Sequence, residues 1–237
     1  MDRRVDIQMP IKKGGFVVGE VINGLLRQEK SNEKIELQLY IDDSDDYDFP
    51  GNATEEEIEK LLGLFAMSAG ADREEIRKRL KIAHKRNQMM QKSSDSPYVY
   101  LADADVLLPD NPSIFAGMIN GLEMHPRLGA IGVPYQNSDH VGAGSMMLRR
   151  RDFLQIGGIG GAGALCTCSY IYRELLRLGL YTVCLKTERA KHLKSVYRED
   201  CPDGYRPVPL NSVRRSDDSP LDKIALGNQT GVWAITT

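Results

Sequence analysis

The stretch Pro97-Tyr98-Val99-Tyr100-Leu101-Ala102-Asp103-Ala104-Asp105-Val106-Leu107-Leu108-Pro109-Asp110 decides the architecture of this chain. Tyr98 to Ala102 have strand character and run straight into Asp103-Ala104-Asp105, and Pro109 ends the apolar run that follows. A short segment rich in β-formers and bounded by prolines predicts a buried strand. Two carboxylates at i and i+2 where that strand ends reach one point in space if the backbone turns there. Two like charges beside an apolar strand are unfavourable unless a cation offsets them. A hard divalent ion held by carboxylate oxygens, Mg²⁺ or Mn²⁺, does this and leaves room for phosphate. Taken alone, Asp-x-Asp is also what an ordinary turn carries. The surrounding chain has to decide.

With 237 residues the chain has ample length for a buried core. Its 41% hydrophobic and 27% charged content are those of an ordinary globular protein, and a formal net charge of −2 leaves no basic footprint for nucleic acid. No apolar run is long enough to span a bilayer. The charged start Met1-Asp2-Arg3-Arg4 opens no signal-peptide core, so a cytoplasmic location is expected. Cys166, Cys168, Cys184 and Cys201 are too irregularly spaced for a disulfide framework or a paired zinc site, and Cys166-Thr167-Cys168 reads as two small buried thiols.

From the N-terminus, Val5 to Met9 reads as a strand stopped by Pro10. A basic glycine-containing loop (Ile11-Lys12-Lys13-Gly14-Gly15) leads into a helix with Val18, Val21, Ile22, Leu25 and Leu26 on one face. A strand, such a loop and a helix N-terminus suit a diphosphate, although a flexible link with solvated lysines has the same sequence. Ile35 to Ile41 alternates as a strand and ends in Asp42-Asp43-Ser44-Asp45-Asp46. Ligands of open α/β sheets bind at the carboxyl ends of strands, which singles out Asp42. Capping signals at Thr54 and Asp72 predict two helices, the second carrying His84, Arg86 and Asn87. After the central strand, Asn111-Pro112 predicts a helix start, with Asn111 as cap and Ile114, Met118 and Leu122 as the buried stripe. Strands are expected over Leu128–Val133, Val141–Arg149 and Tyr181–Leu185, and helices over Asp152–Ile156 and Ser169–Leu178. Glycine-dense residues 157–163 form a loop. From Cys201 on, Pro and Asp punctuation predicts an irregular tail. This β-α-β-α-α-β-α-β order predicts an α/β fold with a mostly parallel sheet flanked by helices.

The ordered set resembles the GT-A nucleotide-sugar glycosyltransferases, in particular the family-2-like group. VDIQMP (Val5 to Pro10), NGLLRQ (Asn23 to Gln28) and LQLYIDDSDD (Leu37 to Asp46) match its opening elements in order. His84-Lys85-Arg86-Asn87 is similar to its Ala-Arg-Asn segment, with Arg86 and Asn87 carried over. Leu101-Ala102-Asp103-Ala104-Asp105 is similar to its Leu-Asp-Ala-Asp motif, and Gly142 to Arg150 with Ile156-Gly157-Gly158 are similar to its later segments. The likeness spans roughly residues 5 to 195.

This resemblance implies a Rossmann-like GT-A single domain over 1–200 and a C-terminal tail over 201–237 that serves as lid or subunit contact. It implies a nucleoside-diphosphate-sugar donor, UDP- ahead of GDP-, and an acceptor (glycan, lipid-linked or small molecule) left open, as is homo-oligomerisation. Asp42 would bind the base, Pro10 and the following loop would pack around the nucleoside, and Lys12 would offset charge on the diphosphate. Arg86 would support the Asp103–Asp105 loop or the diphosphate. Asp103 would contact the ribose or a metal-bound water, Asp105 would coordinate Mn²⁺ or Mg²⁺, and His192 would be a third ligand. On residues alone, a histidine in Ala190-Lys191-His192-Leu193-Lys194 is also an ordinary surface residue.

One departure stands out. Inverting members carry Gly-Gly-Phe-Asp-Glu followed by Glu-Asp, whereas residues 157 to 168 here hold no carboxylate. Asp139 or His140 is then the nearest general base, or configuration is retained, or the chain is an inactive nucleotide- or glycan-binding relative. Two other readings compete. Gly158-Ile159-Gly160-Gly161-Ala162-Gly163 matches the dinucleotide fingerprint of an oxidoreductase, although charged Arg149-Arg150-Arg151-Asp152 precede it. Asp103-x-Asp105 also resembles the first motif of haloacid-dehalogenase-type phosphatases, which normally opens the domain.

Overall fold

Arg4–Pro10 form β1, the strand on which the sheet is built. The computed structural model describes residues 3–10, 18–30, 35–42, 56, 59, 73–93, 95–136, 141–160, 166–185, 188–192, 222–225 and 232–236. β2 (Glu36–Asp42) and β3 (Tyr98–Ala102) flank β1 in parallel, with Val5 opposite Leu37 on one side and Tyr98 on the other. The chain therefore leaves β1 to one side for β2 and returns on the other for β3. Such a reversal of strand order opens a crevice at the carboxyl ends of the strands.

Beyond β3 lie β6 (Val141–Arg149), β5 (Leu128–Pro134) and β7 (Tyr181–Cys184), giving the order β7-β5-β6-β3-β1-β2. On the other side β10 (Val232–Thr236) pairs antiparallel with β2, and β9 (Asp222–Ala225) with β10. Among these eight strands only β6 and β10 oppose the rest. A separate two-stranded ribbon joins β4 (Val106–Leu107) to β8 (Lys191–His192).

Helices cover both faces. α1 (Val18–Leu26) and α3 (Ile114–Met124) contribute to one apolar cluster. α2 (Arg73–Lys92), α4 (Arg150–Gln155) and α5 (Thr167–Arg177) contribute to the other. Alternation along β3 divides the strand between them: Tyr98, Tyr100 and Ala102 enter the first cluster, Val99 and Leu101 the second. A strand buried on both faces reads as a continuous apolar run, which is how β3 shows in the sequence. β1 breaks that rule on one face. Val5, Ile7 and Met9 join the first cluster, while fully buried Asp6 and Gln8 turn the other way. Asp6 is paired with Arg150 at 3.2 Å, whose guanidinium also reaches Ser93 Oγ and the Met90 carbonyl. Among the described residues the Gln8 amide has no hydrogen-bond partner at either atom.

The expected α/β layering, a single domain with helices on both sheet faces, is the one observed, with three differences in detail. The region from Cys201, expected to be irregular, contributes β9 and β10. α3 starts at Ile114 rather than at Pro112, although Asn111 Oδ1 accepts the Ser113 N–H as the expected cap would, and Gln28 from the turn after α1 accepts the Phe115 N–H. Cys166 is exposed and only Cys168 is buried, since the first precedes α5 and the second lies on its inner face. The helix expected from Thr54 to Phe65 lies almost wholly outside the described residues. No described helix is long and apolar enough to cross a membrane.

Candidate functional site

Three strand ends meet at one edge of the sheet. Pro10 and Asp42 are register partners at the ends of β1 and β2, and β3 ends at Ala102, one residue before Asp103. The turn that follows is tight. Asp103 N–H donates to the Gly144 carbonyl at 3.3 Å, and Val106 N–H donates to the Asp103 carbonyl at 3.2 Å.

Arg86 on α2 holds this turn from below. Its Nη2 reaches Asp103 Oδ1 at 2.5 Å and the Ala102 carbonyl at 3.3 Å, and its Nε–H, also buried, has no partner among the described residues. The next residue, Asn87, holds a second loop by a reciprocal pair of bonds with Ile159, its Nδ2 donating to the carbonyl at 2.9 Å and its Oδ1 accepting the N–H at 2.8 Å. Gly158 turns there with φ +75°, and a Cβ in its place would lie 2.5 Å from Asn87 Oδ1.

Asp105 faces a different partner. The β4–β8 ribbon sets Val106 opposite His192, and His192 Nε2 stands 3.2 Å from Asp105 Oδ2. Tyr135, just past β5, packs its ring 4.9 Å from the imidazole at a 34° tilt, while its hydroxyl oxygen accepts the Gly144 N–H at 3.2 Å. Burial first, and the negative charge of Asp103 second, push the Tyr135 phenol well above its ordinary pKa, so the hydroxyl stays neutral. Tyr100 is raised as well, by burial first and then by its neighbours Tyr135 and Asp103. β6 makes the room: a Cβ on Gly144 would lie 2.1 Å from Asp103 Oδ2, and one on Gly142 would lie 2.2 Å from the Tyr135 ring.

The structure thus joins Arg86 to Asp103 and Asp105 to His192, and sets the backbones of Pro10 and Asp42 at the same edge. Lys12, Asp139 and His140 lie outside the described residues, and of Asp42 only the backbone is described. Among the described residues no three of His, Cys, Asp and Glu are gathered into a ready-made metal centre, and Asp103 pairs with Arg86. Tyr135 was missed from sequence. The available signal was its place immediately after a strand whose end reaches the same edge.

Several solved structures share this architecture. The chain is similar to the mannosyltransferase PcManGT from Pyrobaculum calidifontis in complex with GDP-Man and Mn²⁺, with a TM-score of 0.56 at 14% identity over 86% of this chain and 59% of that one. It is similar to a Drosophila beta-1,4-galactosyltransferase 7 mutant in complex with manganese, UDP-Gal and xylobiose, with a TM-score of 0.52 at 14% identity over 99% and 92%. The chain has the GT-A fold. A third GT-A structure, S. aureus TarS 1-349 in complex with UDP-GlcNAc, has a TM-score of 0.51 at 10% identity over 89% of this chain and 63% of that one. This chain therefore spans about three fifths of the PcManGT and TarS chains. No protein-family model matches the sequence, and no curated protein matches it significantly. In GT-A terms, the Asp103–Asp105 turn lies at the crevice between β1 and β3.

Proposed function

We propose that this chain is a metal-dependent glycosyltransferase that moves a sugar from a nucleoside-diphosphate sugar, UDP- ahead of GDP-, to a glycan, lipid-linked or small-molecule acceptor. The observation that carries the reading is the meeting of the Arg86–Asp103 and Asp105–His192 pairs at the crevice where strand order reverses. The similar structures are complexes with GDP-Man, UDP-GlcNAc and UDP-Gal, two of them with manganese, and this supports the donor class.

The residues fit a hard divalent ion in kind. Carboxylate oxygens with one imidazole nitrogen suit Mn²⁺ or Mg²⁺, and the absent side chain at Gly144 gives the Asp103 carboxylate its place. Asp105 and His192 would hold the ion, with Asp103 at the ribose or at a water of the ion. When bound, the ion neutralises charge developing on the departing diphosphate. Arg86 fixes the Asp103 carboxylate so that it meets the donor without reorganising. Asp42 would select the base, with Pro10 and Lys12 around the nucleoside and its diphosphate. Asp139 remains the acceptor-side base proposed for an inverting transfer.

The dinucleotide reading requires a buried strand directly before the glycines. Arg150–Gln155 form α4 there instead, so that fingerprint lacks its framework.

Release of nucleoside diphosphate from UDP-, GDP- and dTDP-sugars, with Mn²⁺ and then with EDTA, tests the proposal. Release from one donor that stops with EDTA and in Asp105→Ala is expected. Nucleotide-dependent thermal stabilisation without release points to a binding-only relative. No response to any nucleotide overturns the reading.

A further inference from the structure

We propose that Tyr135 is a positioning residue that holds His192 and the Gly144 backbone in place around the Asp103–Asp105 turn. The inference rests on the glycosyltransferase reading of this site. His192 sits on β8, a strand of two residues whose ribbon partner β4 is equally short, and a ribbon of that length orients a side chain poorly. Two further contacts supply the missing constraint. Asp105 Oδ2 faces the imidazole Nε2, and the Tyr135 ring packs against the imidazole at 4.9 Å.

Tyr135 is in turn tied to the segment that carries His192. It bridges to Ala190, flanked by Ala190 N–H donating to the Pro134 carbonyl and Gln136 N–H donating to the Ala190 carbonyl, both at 2.9 Å. Its hydroxyl oxygen takes the N–H of Gly144, the residue whose missing Cβ admits the Asp103 carboxylate. One side chain therefore touches both halves of the site, His192 with Asp105 and Gly144 with Asp103. β6 is built around this arrangement: Gly142 and Gly144 share one face of the strand, the first making room for the Tyr135 ring and the second for Asp103.

The ring and the hydroxyl are separable. Tyr135→Phe keeps the ring against His192 and removes the acceptor for Gly144. Tyr135→Leu keeps most of the bulk and removes both. Mn²⁺ affinity is read from the electron paramagnetic resonance of free Mn²⁺, the Gly144 amide from hydrogen exchange, and folding from thermal melting. Supporting a ligand from outside is worth about 10- to 100-fold in metal affinity, so Tyr135→Leu is expected to weaken Mn²⁺ binding by about 10-fold or more. Tyr135→Phe is expected to stay within about threefold while its Gly144 amide exchanges faster. Unchanged Mn²⁺ affinity in Tyr135→Leu, or equal loss in both variants, overturns the ring's role. Unchanged Gly144 exchange in both overturns the hydroxyl's role without any metal present. A wild-type protein that binds no Mn²⁺ sinks the glycosyltransferase reading itself, and that outcome is distinct from either of the others.

Discussion

Arg86 Nη2 lies 2.5 Å from Asp103 Oδ1, and the arginine side chain is 2% exposed while the carboxylate keeps 35%. A guanidinium this deep is stable only with its anion. Removing one partner of a buried pair costs about 3–5 kcal/mol, and the partial exposure of Asp103 lowers that to about 2–3 kcal/mol for Arg86→Met. Denaturant unfolding is the check. Arg86→Lys should recover little, because a single ammonium cannot reach both Asp103 and the Ala102 carbonyl in the same fork.

Gly144→Ala places a methyl where Asp103 Oδ2 now stands. The carboxylate has to move, because the methyl is fixed to the β6 backbone. The expected cost is about 1–3 kcal/mol in stability, together with loss of donor turnover. Paired with Asp103→Ala the penalty should shrink, so the double variant falls short of the sum by about 0.5 kcal/mol or more. Additive costs would mean that the two side chains do not compete for this space.

Gln8 is a buried amide with no hydrogen-bond partner at either atom among the described residues. An unsatisfied buried polar group costs about 1–3 kcal/mol, and an apolar replacement of similar shape recovers part of it. Gln8→Met is expected to stabilise by about 1 kcal/mol and raise Tm by roughly 2–4 °C. Asp6→Asn, one turn of the pleat earlier, should do the opposite by loosening the contact with Arg150. A destabilised Gln8→Met protein would show that the amide has a use.

Cys166 Sγ is 3.2 Å from Cys168 Sγ. The hydrogen bond to Cys166, and after it burial, push the Cys168 thiol well above the usual range. A raised pKa leaves the neutral thiol at pH 8, and the thiolate is the nucleophile. Iodoacetamide should therefore label exposed Cys166 first, with Cys168 about 10-fold slower or more. Mass spectrometry of the α5 peptide gives the order directly, and faster labelling of Cys168 would contradict it.

The strands were legible because their burial is written in side-chain type. Ile35, Leu37 and Leu39 alternate with polar residues, and Tyr98 to Ala102 run unbroken because β3 is covered on both faces. Strand order was not legible. That β3 returns to the far side of β1, and that β6 runs against its neighbours, follows from how helices pack, which no local window contains. β9 and β10 were hidden for another reason: each is short and set among Pro, Asp and Gly. At the site, Asp103, Asp105, Arg86 and His192 could be named from order along the chain. Their pairing could not, since Arg86 takes Asp103 and leaves Asp105 to His192. Tyr135 carries no motif at all; only its distance to His192 and Gly144 marks it.

Arg86 and Asn87 are consecutive on α2, yet one grips the Asp103 turn and the other the Ile159 loop. The helix thereby works as a crossbar. A slide or roll of α2 displaces both loops by the same stroke, and force applied to either loop is felt by the other through one rigid rod. Changes at Ile76 or Leu80, buried earlier on the same helix, would shift both together.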